Sequence, residues 1–250
     1  MVITSLENDK VKNLVKLQKK KYRDLTNTYI VEGEHLVIEA DKAGVIDEVI
    51  LLDGEEYNYD YPVSYVTYDI LKKISTMDNP PKIMAVCRKK DNNKIIGNKI
   101  VVLDEVQDPG NLGTIIRSSL AFNVDTIVLL ENSVDLYNPK VLRATQGMYN
   151  YINIVNLSFD EIYQYMKENN INIYGTSVVN GVDASTLDKD MKSSYCLVMG
   201  NEGQGVKEEI MDKCDKNLYI KMNDKVESLN VGVACSILLY ELNRWYNIQV

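Results

Sequence analysis

The stretch IVVLDEVQDPGNLGTIIR, residues 100–117, decides the fold. Ile100 to Leu103 is an unbroken apolar run, the pattern of a strand buried on both faces of a parallel sheet. Pro109-Gly110-Asn111 interrupts it with turn residues, and a helix follows from near Gly113 to Phe122. Strand, loop and helix in this order make one α/β unit. The alternation continues downstream, with strands at Thr126–Leu130, Ile152–Val155, Ile171–Thr176, Cys196–Met199 and Leu218–Lys221. Helices fall at Pro139–Thr145, Phe159–Glu168 and near Lys207–Cys214, and a long one runs from Ser228 onward. Residues 95–250 therefore read as an α/β domain with a largely parallel sheet and helices on both faces. Such sheets bind ligands in the loops at the strand carboxyl ends.

Upstream, residues 1–94 read as a smaller α/β module. Strands at Thr28–Val31, Val49–Leu52, Val63–Thr67 and Ile83–Arg88 alternate with helices at His35–Ala43 and Ile70–Ser75. Gly44 closes the first helix, because glycine adopts the left-handed conformation cheaply. The polar run 88–94 has no apolar period and is the expected linker. Val11, Leu14, Val15 and Leu17 recur at helical spacing among lysines, predicting one amphipathic basic helix over residues 9–23. His35, after Glu34, reads as a helix-start residue, and Tyr57, Tyr59 and Tyr61 alternate in a polar loop.

Composition narrows the class. At 250 residues, 45% hydrophobic and 26% charged, the chain is ordinary globular sequence, large enough to need no disulfide or metal staple. Four dispersed cysteines and the single His35 give no metal-ligand cluster. The longest apolar stretch, Val231–Tyr240, is about half a membrane span. Polar sequence soon after Met1 leads us to expect no secretory signal and a soluble, cytoplasmic protein. The net charge of −8 at first disfavours a polyanionic partner. The charge is uneven, however: residues 1–94 net −1 and residues 95–250 net −7. Within residues 10–23, Lys10, Lys12, Lys16, Lys19, Lys20, Lys21 and Arg23 stand without an acid among them. Local charge decides phosphate contacts, so nucleic acid stays open as a partner.

Three loops carry the chemistry. In the first, Asn111 sits at a helix mouth with Arg117 six residues on. An Asn N-cap beside a surface arginine would explain both. Helix-start N–H groups joined by a guanidinium also suit a phosphate or a developing oxyanion. The second, Leu197-Val198-Met199-Gly200-Asn201-Glu202-Gly203-Gln204-Gly205, ends a buried strand in three glycines. Its spacing fits neither the dinucleotide fingerprint nor a P-loop. It is either a structural turn or a place where backbone approaches a ligand closely. The third brings Ser228 and Asn230 to the entry of the last helix. Ser228 reads most simply as its N-cap. Without a nearby His, and with only Lys225 as a base, a serine hydrolase is disfavoured.

Taken in order, Asn111-Leu-Gly-x-Ile-x-Arg117, Met199-Gly-Asn-Glu-Gly-x-Gly205 and Glu227-Ser-Leu-Asn-Val-x-Val-Ala234 resemble the SpoU (TrmH-type) branch of the SPOUT RNA methyltransferases. The resemblance spans residues 95–250, and Ile3-Thr-Ser, Val11-Lys12 and Tyr29-Ile-Val-Glu-Gly33 resemble that family's L30e-like RNA-binding extension. It implies a catalytic domain with a deep trefoil knot, a topology no periodicity reveals. It also implies transfer of a methyl group from S-adenosylmethionine to a ribose 2′-hydroxyl, most simply in 23S rRNA, and a homodimer built on the first-motif and C-terminal helices.

By position, Gly200, Ile220 and Leu229 would hold the cofactor through main-chain groups. Asn111, Arg117, Glu202, Ser228 and Asn230 fall on catalytic positions. Arg117 would contact the ribose hydroxyl and neighbouring phosphate, acting across the dimer. Glu202 would accept a hydrogen bond or orient Arg117, and Ser228 and Asn230 would fix the loops and touch the sugar. The seven cations of residues 10–23 would face RNA. One departure is Ile220-Lys221-Met222 where the family has Ile-Pro-Met, which loosens one loop dihedral. A tRNA ribose methyltransferase, a silent RNA-binding assembly factor and a nucleotide-dependent oxidoreductase are the competing classes. The glycine spacing argues against the last.

Overall fold

In the computed structural model, which describes residues 2–56, 58, 60–178 and 181–244, the basic segment forms two helices rather than one. Helix α1 (Asp9–Lys16) is capped by Asn8, whose side chain accepts from the Lys10 amide. Extended backbone at Lys19 separates it from α2 (Lys20–Thr26), which Asn27 closes at φ 55°. Arg23 organises this break. Its Nη1 donates to the carbonyls of Leu17 and Gln18 at 2.9 and 2.8 Å, and its Nη2 to Asp135 Oδ2 at 2.6 Å. Only 3% exposed, Arg23 belongs to the interior and not to the phosphate-facing surface expected of it.

The chain divides into two compact units, residues 1–91 with 135–150, and residues 92–134 with 151–250. In the first unit the strands are β1 (Thr28–Glu32), β2 (Ile46–Leu52), β3 (Val63–Val66) and β4 (Ile83–Arg88), with helices α3 (Glu34–Lys42) and α4 (Tyr68–Ile74). The sheet order is β1-β4-β2-β3, with β4 antiparallel to both neighbours and β2 parallel to β3. Val11 and Leu14 of α1 pack with Ile50, Val66, Ile70 and Met84 in its core. His35 lies in the first turn of α3, and Gly44 follows that helix at φ 65°, both as expected. Tyr57 and Tyr59 lie outside the described residues.

The second unit opens with β5 (Lys99–Leu103), α5 (Pro109–Ala121) and β6 (Thr126–Leu129). The next helix, α6 (Pro139–Thr145), and the 3-10 turn Met148–Asn150 pack in the first unit instead. A single cut at 94/95 therefore does not describe the division. The reason is local packing: α6 lies against β1, and Tyr149 Oη is 3.0 Å from Tyr29 Oη. The second unit resumes with β7 (Asn153–Asn156), α7 (Phe159–Glu168), β8 (Asn172–Thr176), β9 (Val182–Asp183) and α8 (Lys189–Ser193). It ends with β10 (Tyr195–Met199), α9 (Glu208–Met211), β11 (Lys216–Tyr219) and α10 (Val231–Asn243).

The second sheet runs β7-β6-β5-β10-β8-β11-β9, every pairing parallel. Ile100, Val102, Val128, Ile173 and Val198 are fully buried in its core, as unbroken apolar strands require. At the centre Leu103 is in register with Met199. From β5 the chain continues toward β6 on one side; from β10 it continues toward β11 on the other. The carboxyl ends of β5 and β10 thus form a topological switch point, where a crevice opens for ligands. Among the described residues, no helix is long and apolar enough to cross a membrane.

Candidate active site

Helix α5 begins at Pro109, four residues before the expected start, with Asp108 as its N-cap. Proline suits a first helical position, where its missing N–H is no loss. Asn111 is therefore inside the first turn, its amide bonded to Asp108 Oδ1 at 2.9 Å. That frees its side chain, which is only 7% exposed as a residue, to bridge two other loops. Asn111 Nδ2 donates to Glu202 Oε1 at 2.9 Å, and Asn230 Nδ2 donates to Asn111 Oδ1 at 2.7 Å. Asn230 Oδ1 accepts from the amides of Gly232 and Val233, so Asn230 caps α10. The cap expected at Ser228 falls two residues later. The loops following β5, β10 and β11 are thereby joined by one hydrogen-bond chain.

Glu202 is the acceptor end of that chain. Desolvation pulls its carboxyl upward, but hydrogen bonds from Asn111 and the backbone, including the Asp108 and Gln107 amides, outweigh it and hold it below the usual carboxylate range. Its oxygens are engaged with Asn111, Asp108 and Gln107, and no ion pair links it to Arg117. Arg117 is exposed on α5 and makes no hydrogen bond or ion pair among the described residues.

Beside this chain lies a cavity of about 520 Å³. Gly200, Ile220 and Leu229 line it, together with Met199, Ser228 and Leu238. A Cβ on Gly200 would sit 2.1 Å from the Gly205 carbonyl carbon, so no side chain fits there. The wall at this point is main chain from both strands of a tight loop. Glu202 and Asn230 reach the cavity; Asn111 and Arg117 do not line it. Lys221, standing in the departing Ile220-Lys221-Met222 sequence, is exposed.

Burial pushes the Cys214 thiol up to about 11 and Cys235 to about 12, so these thiols stay protonated and poorly nucleophilic. No group of three or more metal-ligating side chains occurs among the described residues. Of the basic segment, Lys10 pairs with Glu48, Lys12 with Glu7 at 3.0 Å, and Lys16 with Asn13. Lys19, Lys20 and Lys21 are exposed, Lys20 lying near enough to the Asp24 carboxylate to help lower it. Sequence reading missed Asp108 as the cap, although Asp before Pro is a helix-start signal. It also missed the loop-holding parts of Asn201, Asp104 and Lys207, which depend on partners far along the chain.

This arrangement, a parallel α/β sheet with glycine-lined main chain around a cavity at its switch point, defines a ligand-binding α/β domain. The family model of the SpoU rRNA methylase family matches residues 98–240, and that of the MRM3-like substrate binding domain matches residues 8–85. The 23S rRNA (guanosine(2553)-2′-O)-methyltransferase RlmP of Bacillus subtilis is 37% identical over 245 residues, covering 96% of this chain and 98% of that one. An AdoMet-bound rRNA methyltransferase from Sinorhizobium meliloti superposes with a TM-score of 0.86 at 28% identity, over 98% of each chain. The SpoU methyltransferase AviRb from Streptomyces viridochromogenes, in complex with AdoMet, shares the fold at a TM-score of 0.87 and 21% identity, over 96% of this chain and 98% of its own. The chain belongs to the SpoU rRNA methylase family.

Proposed function

We propose that this protein is an S-adenosylmethionine-dependent ribose 2′-O-methyltransferase acting on large-subunit (23S) rRNA in the cytoplasm, as a homodimer. The observation that carries this reading is the Glu202–Asn111–Asn230 chain, which ties three loops around a cavity walled by main chain at Gly200. The residues present fit the cofactor. The cavity is of ligand size, apolar at Met199, Ile220, Leu229 and Leu238, and open to backbone recognition where Gly200 excludes a side chain. Gly200, Ile220 and Leu229 would hold it. When bound, S-adenosylmethionine supplies an activated sulfonium methyl group.

The chain's own contribution is position and charge. A guanidinium keeps its proton in proteins and offers only donors, so Arg117 orients the nucleotide and stabilises the developing alkoxide. Glu202 stays ionised and spends its acceptors on the loops, and Ser228 and Asn230 present polar groups at the cavity wall. Orienting the ribose hydroxyl at the cavity before reaction would remove much of the entropic barrier. Arg117 lies outside its own cavity. Next to α5, helix α10 exposes Val233, Ile237 and Tyr240 at i, i+4 and i+7 spacing, an apolar stripe suited to a second copy. Dimerisation through these helices would deliver Arg117 to the partner's cavity. A knotted path of the C-terminal segment belongs to the same reading, as the family resemblance implies.

RNA contacts fall to Lys19, Lys20 and Lys21, with Lys10, Lys12 and Lys16 beside them. These three lysines are exposed at consecutive positions with no acid in the first turn of α2, a local positive patch suited to a polyanion. The test is transfer of labelled methyl from S-adenosylmethionine to RNA from a host strain lacking this gene. Resistance to alkaline cleavage then maps the site. Label at one 23S ribose, lost with Arg117→Ala, is the expected result; label in tRNA redirects the substrate, and label on a base overturns the 2′-hydroxyl chemistry. Mixing inactive Arg117→Ala with an inactive Gly200→Trp chain should restore activity through heterodimers.

A further inference from the structure

The second loop, Gly200 to Val206, contains three glycines and would sample many backbone states if left free. Within itself it is held by paired amide bonds between Asn201 and Gly205, both 3.0 Å, and by Asn201 Oδ1, which accepts from the Gly203 and Gln204 amides. These bonds shape the loop but do not place it. Placement comes from the segment after β5. The Asp104 amide donates to the Met199 carbonyl before the loop, and Asp104 Oδ2 accepts the Lys207 amide at 2.9 Å after it. Between these two points, Asn201 Nδ2 donates to the Glu105 carbonyl at 3.0 Å.

Glu105 adopts φ 57°, the left-handed region that glycine usually occupies. This turn sets its carbonyl toward Asn201 while its carboxylate pairs with Lys207 Nζ at 2.7 Å. Asp104 is 1% exposed and does not line the cavity. Lys207 Nζ stands 3.6 Å from Asp104 Oδ1, a counter-charge for a carboxylate that would otherwise be buried alone. Lys207 remains a cation, its ammonium raised chiefly by the Glu105 hydrogen bond.

We propose that Asp104 is a positioning residue for cofactor binding: by gripping both ends of the Gly200–Val206 loop, it holds the main chain at Gly200 in the shape that receives the ligand. The proposal rests on the cofactor reading above, and adds a residue that touches neither ligand nor RNA. It assigns the buried carboxylate to affinity for the methyl donor, and not to the chemical step.

The test is calorimetric titration with S-adenosylhomocysteine, alongside methyl-transfer kinetics, on full-length protein. Losing a hydrogen bond to a buried carboxylate corresponds to about tenfold or more in affinity. Asp104→Ala should raise Kd and the cofactor KM by about that factor, with kcat at saturating cofactor within about twofold. Asp104→Asn keeps an acceptor for the Lys207 amide and should recover most of the affinity. Val128→Ala, a core truncation in β6, serves as a control for stability alone and should lower Tm while leaving Kd unchanged. Unchanged Kd in Asp104→Ala overturns the proposal, as does a Kd that rises equally in Val128→Ala or a loss confined to kcat. If wild-type protein does not bind S-adenosylhomocysteine at all, the cofactor reading itself fails, an outcome distinct from these.

Discussion

At the scale of single residues, Asn111 and Arg117 sit six positions apart on one helix and do opposite things. Asn111 is buried with both side-chain polar atoms engaged, whereas Arg117 is exposed and has no hydrogen-bond or ion-pair partner among the described residues. Asn111→Ala leaves a carboxylate and an amide without their shared partner. It should cost about 1–3 kcal/mol, measured by urea denaturation. Arg117→Ala removes no hydrogen bond or ion pair among the described residues and should change stability by no more than about 0.5 kcal/mol. Methyl transfer should nevertheless be lost, with affinity for S-adenosylhomocysteine retained. Glu202 adds a pH dependence whose sign follows from its lowered carboxyl. Its contribution is complete above the ordinary value of 4.5 and is lost as pH falls below that, through the depressed folded value. The stability difference between wild type and Glu202→Gln should therefore be flat from neutral pH to about 5 and shrink only in stronger acid. A difference that changed around pH 7 would contradict this account.

At the scale of elements, α10 is placed by its first residue. Asn230 both caps the helix and reaches across to Asn111, so Asn230→Ala loses a cap worth about 1 kcal/mol and the bridge as well. A double-mutant cycle with Asn111→Ala should show the two costs to be non-additive, because each removes the same 2.7 Å bond. Additive costs would mean that the bridge carries no energy. The strands of the parallel sheet are legible in the sequence, since Ile100–Leu103 and Cys196–Met199 are apolar throughout and nothing else suits burial on both faces. Pro139–Thr145 and Phe159–Glu168 are legible for local reasons too, a proline start and a Ser158 capping box. The break between α1 and α2 is not. It depends on Arg23 finding Asp135, 112 residues away, and in the sequence Arg23 looks like one more cation in a basic run. The site divides in the same way: motif order exposes Gly200, Glu202 and Asn230, while Asp104 and Lys207 gain meaning only once β5 and β10 lie side by side.

At the scale of the whole molecule, the division of the chain makes a prediction about what can fold alone. The first unit needs residues 135–150, and the need is electrostatic as well as apolar. Arg23, 3% exposed, meets the Asp135 carboxylate; Glu32, 8% exposed, is bonded by Ser75 and Thr76 and lies 3.6 Å from Arg143. Tyr29 packs on Tyr137 at 4.5 Å between ring centroids and on Tyr149 at 6.1 Å. A fragment ending at Asp91 keeps Arg23 and Glu32 but removes Asp135, Arg143 and both tyrosines. Stripping one partner from a buried pair costs about 3–5 kcal/mol, against a total of about 5–15 kcal/mol for a domain. The fragment should therefore lack a cooperative urea transition, although the substrate-binding family model lies wholly inside it at residues 8–85. Joining residues 135–150 to it through a flexible glycine–serine linker should restore that transition. Arg23→Met in the linked form should remove most of the gain, because it leaves Asp135 unpaired. A fragment of residues 2–91 that unfolds as cooperatively as the linked form would show that residues 135–150 are a passenger on a domain already complete, and that the arginine pairs are not what binds them there.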